Sequence, residues 1–377
     1  MPIGPYTSRF LDEMVKHKAS DMYITVGSKP SVRISHSIVP ISSTPLQASE
    51  IQLLMDELLD EEKKGEFEST LELNVSFVRE DKTRYRFNFF RQQANNGIVV
   101  RRINTKIPSI DELGLPEIYS KVIMKKKGLI ILASPGGSGK STSMAAMIGF
   151  RNKFGSGHVL TIEDPIEFIH QHGNCIITQR EVGTDTYSYG MALKSALRQR
   201  ADVIAIGEIR DRESLEHAMR FSETGHLCVA TLHSNNAYQA LTRMANMFPD
   251  DARTYVLSTI SQNLVSIFSQ RIVPNLKGEL SVVSEILLNE GLIKSLISDN
   301  RLIEVKEMME RGKDLGMQTI DQSLQRLFEA GKISADVAIS EAENPSTLKL
   351  KISQTRQDQK AAAMSPQKSM PNENFLQ

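Results

Sequence analysis

Residues 128–141 read GLIILASPGGSGKS. The opening run, Gly128 to Ala133, is apolar without alternation, the pattern of a strand buried on both faces. A glycine-rich turn follows, and STSMAAMIGFRNK (141–153) then reads as a helix. Strand, glycine-rich turn and helix, with Lys-Ser at the turn's end, is the order a phosphate-binding loop requires. Successive backbone N–H groups in such a turn form a concave anion site. The helix N-terminus adds partial positive charge. Lys140 is placed to reach the β- and γ-phosphates, and the Ser141 hydroxyl to ligate Mg²⁺. ATP and Mg²⁺ are therefore the predicted ligands, cradled by Pro135, Gly136, Gly137, Ser138, Gly139, Lys140, Ser141 and Thr142. The pattern usually opens with glycine; here Ser134 stands there, which leaves Gly136 and Gly137 to supply the backbone freedom.

Downstream, HVLTIED (158–164), DVIAIGE (202–208) and HLCVATLH (226–233) are further buried strands. Helices fit between them at 189–200, 213–223 and 236–248. Alternating strands and helices predict an α/β fold with a mostly parallel sheet covered on both faces. Residues 253–272 read as one helix, with an apolar face at Val256, Ile260, Leu264, Ile267 and Phe268, and helices are expected on to about 345. From 353 to 377 the chain is polar and reads as a disordered tail.

Upstream, the pattern changes. Residues 8–18 and 47–64 read as amphipathic helices; 21–27, 31–35, 71–78, 83–93 and 97–103 read as strands. In TRYRFNFFRQQ (83–93), Tyr85, Phe87 and Phe89 share one face, and Arg84, Arg86 and Asn88 the other. This predicts a smaller α+β domain over 1–103. A linker with two prolines is expected over 104–120, the main domain over 121–352, and the tail after it.

Composition narrows the function. The 377 residues carry 45 Lys plus Arg against 45 Asp plus Glu, so no global basic excess points to nucleic acid. Lys125-Lys126-Lys127 reads as a solvated turn. The two cysteines, Cys175 and Cys228, have no metal-binding spacing and read as buried apolar residues in a reducing compartment. No apolar run is long enough for a membrane span, and no secretory signal is seen at the start. A cytoplasmic protein follows, without direct membrane insertion, and any membrane contact must come through a partner.

Hydrolysis needs more than a phosphate loop: a carboxylate near Mg²⁺ and a group to orient water. Two strands end in acid. DVIAIGEIRD presents Glu208, and TIEDPIEF presents Glu163 and Asp164 before Pro165. In open α/β sheets such ends are where ligands bind. His226 and His233 bracket one strand, seven residues apart; strict alternation puts them on opposite faces, so they need not do the same job.

Taken in order, the phosphate loop, TIEDPIEF, DVIAIGEIRD and TGHLCVATLHS resemble the type II and type IV secretion ATPases. ASDMYITVGSKP, TRYRFNFF and IPSIDELGLP resemble their pilus-retraction branch, and EVKEMMERGKDLGMQTIDQSLQRLFEAGKIS resembles the accessory member of that branch's sister pair. The likeness implies a PAS-like N-terminal domain, a RecA-like ATPase domain and a homo-hexameric ring. It implies ATP hydrolysis at an inner-membrane pilus platform protein, beside a sister retraction ATPase. Matched motif by motif, Glu163 is the water-polarising carboxylate and Glu208 acts through Mg²⁺. His226 and His233 form a histidine box coupling phosphate state to domain position. Arg84, Arg86 and Arg102 are the N-domain arginines that reach phosphate. The chain departs from the family at Ser134, and at Gly136, where the family mostly has Thr. Extension motors carry a tetracysteine zinc element, which two cysteines cannot make. The alternative is a nucleotide-binding accessory or regulatory subunit with dispensable catalysis; intact Lys140, Glu163 and Glu208 oppose it.

Overall fold

The computed structural model describes residues 3–34, 37–81, 83–103 and 106–364. It forms two compact units, Met1–Ile107 with Glu167–Ile169, and Pro108–Ile166 with His170–Gln377.

The first unit runs α1 (Pro5–Lys16), β1 (Asp21–Thr25), β2 (Ser31–Ile34), β3 (Ser37–Pro40), α2 (Ala48–Leu58), α3 (Glu61–Thr70), β4 (Glu72–Val78), β5 (Arg84–Gln92) and β6 (Asn95–Ile103). Its six strands are antiparallel in the order β3-β2-β1-β6-β5-β4. The expected alternation in β5 is present: Tyr85, Phe87 and Phe89 are buried, and Arg84, Arg86 and Asn88 are half-buried. Leu11, Met14, Ile51, Leu54 and Leu58 from α1 and α2 complete that core. The helix expected over 47–64 is two helices, because Asp60 caps a new one by accepting from the Lys63 N–H.

The second unit runs α4 (Ile118–Ile123), β7 (Gly128–Ala133), α5 (Lys140–Phe154), β8 (Gly157–Glu163), β9 (Cys175–Glu181), α6 (Tyr189–Ala196), β10 (Val203–Ile206), α7 (Arg212–Glu223), β11 (Leu227–Leu232), α8 (Ala237–Asn246), α9 (Arg253–Asn263), β12 (Leu264–Pro274), β13 (Leu280–Leu288), α10 (Leu292–Ser298), α11 (Leu302–Arg311), α12 (Ile320–Glu329), α13 (Ala335–Ser340) and α14 (Pro345–Met364). The seven strands order as β13-β12-β7-β11-β10-β8-β9. All neighbours are parallel except β12 and β13. Every residue of β7, β10 and β11 is buried, as continuous apolar runs require. An α/β main domain preceded along the chain by a smaller α+β domain is as the sequence predicts.

Three expectations need correction. The helix expected over 253–272 stops at Asn263, and Leu264–Pro274 is a strand beside β7. The spacing of Leu264, Ile267 and Phe268 suits a helix face, but Val265, Ile267 and Val273 are β-branched and buried between layers. The linker expected over 104–120 is not loose, since Ile110, Leu115 and Tyr119 are buried in the main core. The tail expected from 353 begins as helix: α14 runs to Met364, anchored by buried Leu348 and Ile352. Residues 365–377 lie outside the described residues.

Candidate nucleotide site

The loop after β7 turns through two residues in the left-handed region, Gly137 (φ 73) and Gly139 (φ 85), where a side chain would strain the backbone. Sequence reasoning assigned this freedom to Gly136 and Gly137; Gly139 takes the place of Gly136. A Cβ at Gly136 would meet only His233 Cε1, at an ordinary 3.7 Å. Lys140 is buried, and its ammonium donates to the carbonyls of Ser134 (2.6 Å) and Pro135 (2.8 Å). Ser141 and Thr142 are half-buried in the first turn of α5. The Ser138 hydroxyl donates to the Pro135 carbonyl at 2.7 Å. Ser134 is fully buried; its hydroxyl donates to the Ala133 carbonyl and accepts from the Gln270 N–H of β12, each at 2.7 Å.

Beside this loop lie the carboxyl ends of three parallel strands. Glu163 closes β8, is buried, and accepts from the Thr161 hydroxyl (2.6 Å) and the Gln179 amide (3.1 Å). Glu208 follows β10 and is gripped on both oxygens, by His233 Nε2 at 3.0 Å and by Arg210 Nε at 2.7 Å. Arg210 also donates to Asp164 at 3.0 Å, so one guanidinium bridges the two acidic strand ends. The hydrogen bond that Arg210 donates to Glu208 raises the Arg210 pKa above its ordinary value. Tyr189, at the start of α6, lies among these groups. A Cβ on Gly207 would sit 2.8 Å from its hydroxyl, and the Arg210 guanidinium lies 5.9 Å from its ring centroid. Burial raises the Tyr189 pKa, and the charges of Asp164, Glu163 and Glu208 push the same way.

The two histidines part company along the strand rather than across it. His233 follows the carboxyl end of β11 and joins Glu208. His226 precedes the amino end, where its Nδ1 lies 3.1 Å from Thr224 Oγ1 and its carbonyl accepts from the Gly128 N–H at the start of β7. A six-residue strand spans about 20 Å, so the structure does not bring His226 to the phosphate loop.

The predicted arginines belong to the first unit. In the β5–β6 register Arg86 stands opposite Arg101, and Tyr85 opposite Arg102. Directly paired residues share a face. Arg102 therefore lies on the side of buried Tyr85, and Arg101 shares the open face with Arg86. Arg101 donates to Asp21 at 2.8 Å. Only the pairing register separates adjacent Arg101 and Arg102, and no single strand's periodicity supplies it.

Other residues of the second-unit cluster escaped the sequence reading. Arg210 lies inside DVIAIGEIRD, and no local periodicity marks its role. Tyr189 opens a helix that was read for its periodicity. Gln270 lies in a stretch whose helical period hides its place on strand β12.

A phosphate loop at the carboxyl edge of a RecA-like sheet, with buried Glu163 and half-buried Glu208 on the neighbouring strand ends, defines a P-loop ATPase. The chain belongs to the type II/IV secretion system protein family, whose model matches residues 1–365. It is 44% identical over 345 residues to the type IV pilus ATPase PilU of Pseudomonas aeruginosa, covering 91% of this chain and 90% of that one. It is 36% identical over 330 residues to PilT, the type IV pilus retraction ATPase of the same organism, covering 88% and 96%. A crystal structure of the pilus retraction motor PilT with bound ADP matches at a TM-score of 0.84 and 35% identity, over 90% of this chain and 97% of that one.

Proposed function

We propose that this chain hydrolyses ATP to drive or assist the retraction of a type IV pilus, working as a homo-hexameric motor. The carrying observation is the succession from the phosphate loop at Gly136 to His233 and from His233 to Glu208, on a chain that spans nine-tenths of a pilus ATPase. The loop binds the phosphates. Buried Glu163, its carboxylate fixed by Thr161 and Gln179, orients and polarises the attacking water. His233, bonded to Glu208, reads the phosphate end of the nucleotide and passes its state to the strand ends. Arg84 and Arg86 neutralise phosphate charge, supplied by the same copy or by a neighbouring one.

Mg²⁺ fits the residues present. Among the described residues no three His, Cys, Asp or Glu side chains gather into a metal-binding group. Mg²⁺ at a nucleotide is held by one or two protein oxygens and by substrate phosphates, and the half-buried Ser141 hydroxyl and Glu208 carboxylate are oxygens of that kind. Ser141 and Glu208 are the oxygen donors we assign to it. The ion would neutralise charge on the β- and γ-phosphates.

Among the described residues no helix is long and apolar enough to cross a membrane. The likeness to pilus ATPases supports assigning force to a cytoplasmic ring pressing on an inner-membrane platform protein, beside a sister retraction ATPase. Deleting the gene and imaging labelled pili, with and without the sister ATPase, tests this reading. Loss of retraction, or loss of force in the presence of the sister, is expected. Unchanged retraction in both backgrounds would remove the assignment.

A further inference from the structure

Strand β12 touches both walls of the nucleotide site through consecutive residues. Gln270 is almost fully buried. Its backbone N–H donates to the Ser134 hydroxyl at 2.7 Å, its side-chain Nε2 donates to the Ser138 carbonyl at 2.7 Å, and its Oε1 accepts from the Ser143 hydroxyl at 2.9 Å. These bonds tie down the end of β7, the turn itself and the first turn of α5. One residue earlier, the Ser269 hydroxyl donates to the Asn235 carbonyl at 3.1 Å, two positions beyond His233.

An apolar side chain could fill the same space, but it could not orient a peptide. A peptide unit is planar and trans, so its C=O and N–H point in opposite directions. With the Ser138 carbonyl drawn to Gln270, the N–H of the same unit, that of Gly139, is aimed away from β12. A phosphate loop works by aiming such N–H groups. The close approach also needs Gly139: a Cβ there would lie 3.1 Å from Gln270 Nε2 and 3.3 Å from Ile272 Cδ1. Ser134 in the place of the usual glycine supplies the oxygen that meets the Gln270 N–H. A buried amide with its bonds made specifies one arrangement of its neighbours.

We propose that Gln270, together with Ser134, is a positioning residue for the nucleotide phosphates, fixing the direction of the Gly139 N–H and the placement of Lys140 next to it. This rests on the nucleotide-site reading above.

The test uses the purified full-length protein and fluorescent mant-ADP and mant-AMP. Gln270→Met keeps the volume and removes the amide bonds. Its affinity for mant-ADP should fall about tenfold, the worth of a buried hydrogen bond. Affinity for mant-AMP, which lacks the β-phosphate, should change by less than about twofold, within the spread of neutral substitutions. The KM for ATP should rise in step. Unchanged mant-ADP affinity, or an equal loss for both nucleotides with a lowered Tm, would overturn the proposal and leave Gln270 as packing. If Gln270→Met does not fold, Ser134→Ala decides by the same ADP-to-AMP comparison. Lys140→Ala is the control: if it binds mant-ADP like the wild type, the nucleotide-site reading has failed, and the loss is not specific to Gln270.

Discussion

The two sheets hide apolar side chains in opposite ways, and this decides where polar chemistry can sit. In the first unit the strands are antiparallel and alternate, so Tyr85, Phe87 and Phe89 are buried while Arg84 and Arg86 stand on the other face. A whole polar face remains for use. In the second unit β7, β10 and β11 are buried along their full length. No face is left, and polar groups are driven to the strand ends. Lys140's loop, Glu163, Glu208 and His233 all follow carboxyl ends. An antiparallel sheet with one open face offers a surface, and a covered parallel sheet offers an edge.

If the edge holds the chemistry, its removal should have the largest effect. Lys140→Ala should abolish hydrolysis, by about 10²-fold or more in turnover, because a charge-assisted phosphate contact is lost in the transition state. Circular dichroism should show the fold intact. Near wild-type turnover would detach the loop from catalysis.

Glu163→Gln keeps the shape of the side chain and removes its charge. It should bind ATP within about twofold of wild type, yet turn over about 10²-fold more slowly, the usual weight of general acid–base help. Equal losses in binding and turnover would make Glu163 a structural or metal-site residue instead.

The same contrast explains what the sequence alone could disclose. Continuous apolar runs are long-range signals written locally, so β7, β8, β10 and β11 and the groups at their ends were legible. Strand β12 was not, because Leu264, Ile267 and Phe268 satisfy a helical period as well as a buried strand. Gln270 was lost with it. On the open face, alternation named Arg84 and Arg86 correctly as face-sharing residues. The face that Arg102 takes needed the partner strand. His226 and His233 were separated by reasoning about faces, whereas strand length is what separates them.

Arg86 probes whether the open face joins the edge. Arg86→Ala should slow turnover about tenfold, as expected for a charge-assisted phosphate contact. Mixing Arg86→Ala with Lys140→Ala subunits asks where the arginine comes from. If it acts on a neighbouring copy, mixed rings regain activity, because some intact Lys140 sites then meet an intact Arg86. No rescue, with mixing verified by native mass spectrometry, would place its action within one copy or nowhere.

The remaining effect leaves catalysis untouched: it concerns a buried acid and acts on stability alone. In the first unit Asp21 is buried with a guanidinium beside it, Arg101 at 2.8 Å. In β13 of the second unit, Glu285 is buried, and it accepts from the Ala237 N–H at the start of α8. Burial pushes the Glu285 pKa up to about 7; nearby Glu343 adds to this, while the Ala237 N–H, Lys306 and Arg271 oppose it. A raised folded-state pKa means that the native state holds a proton the unfolded chain has released. The stabilisation is therefore complete below the unfolded carboxylate value and is lost as pH rises through about 7. Glu285→Gln removes this titration while keeping an acceptor for the Ala237 N–H. Relative to the wild type, the variant should gain on the order of 1–3 kcal/mol between pH 5 and pH 8. Urea midpoints at the two pH values measure it. A wild-type-to-variant difference that is the same at both would show that Glu285 ionises in the folded chain as it does in water, and that the covered sheet is less closed to charge than its apolar strands imply.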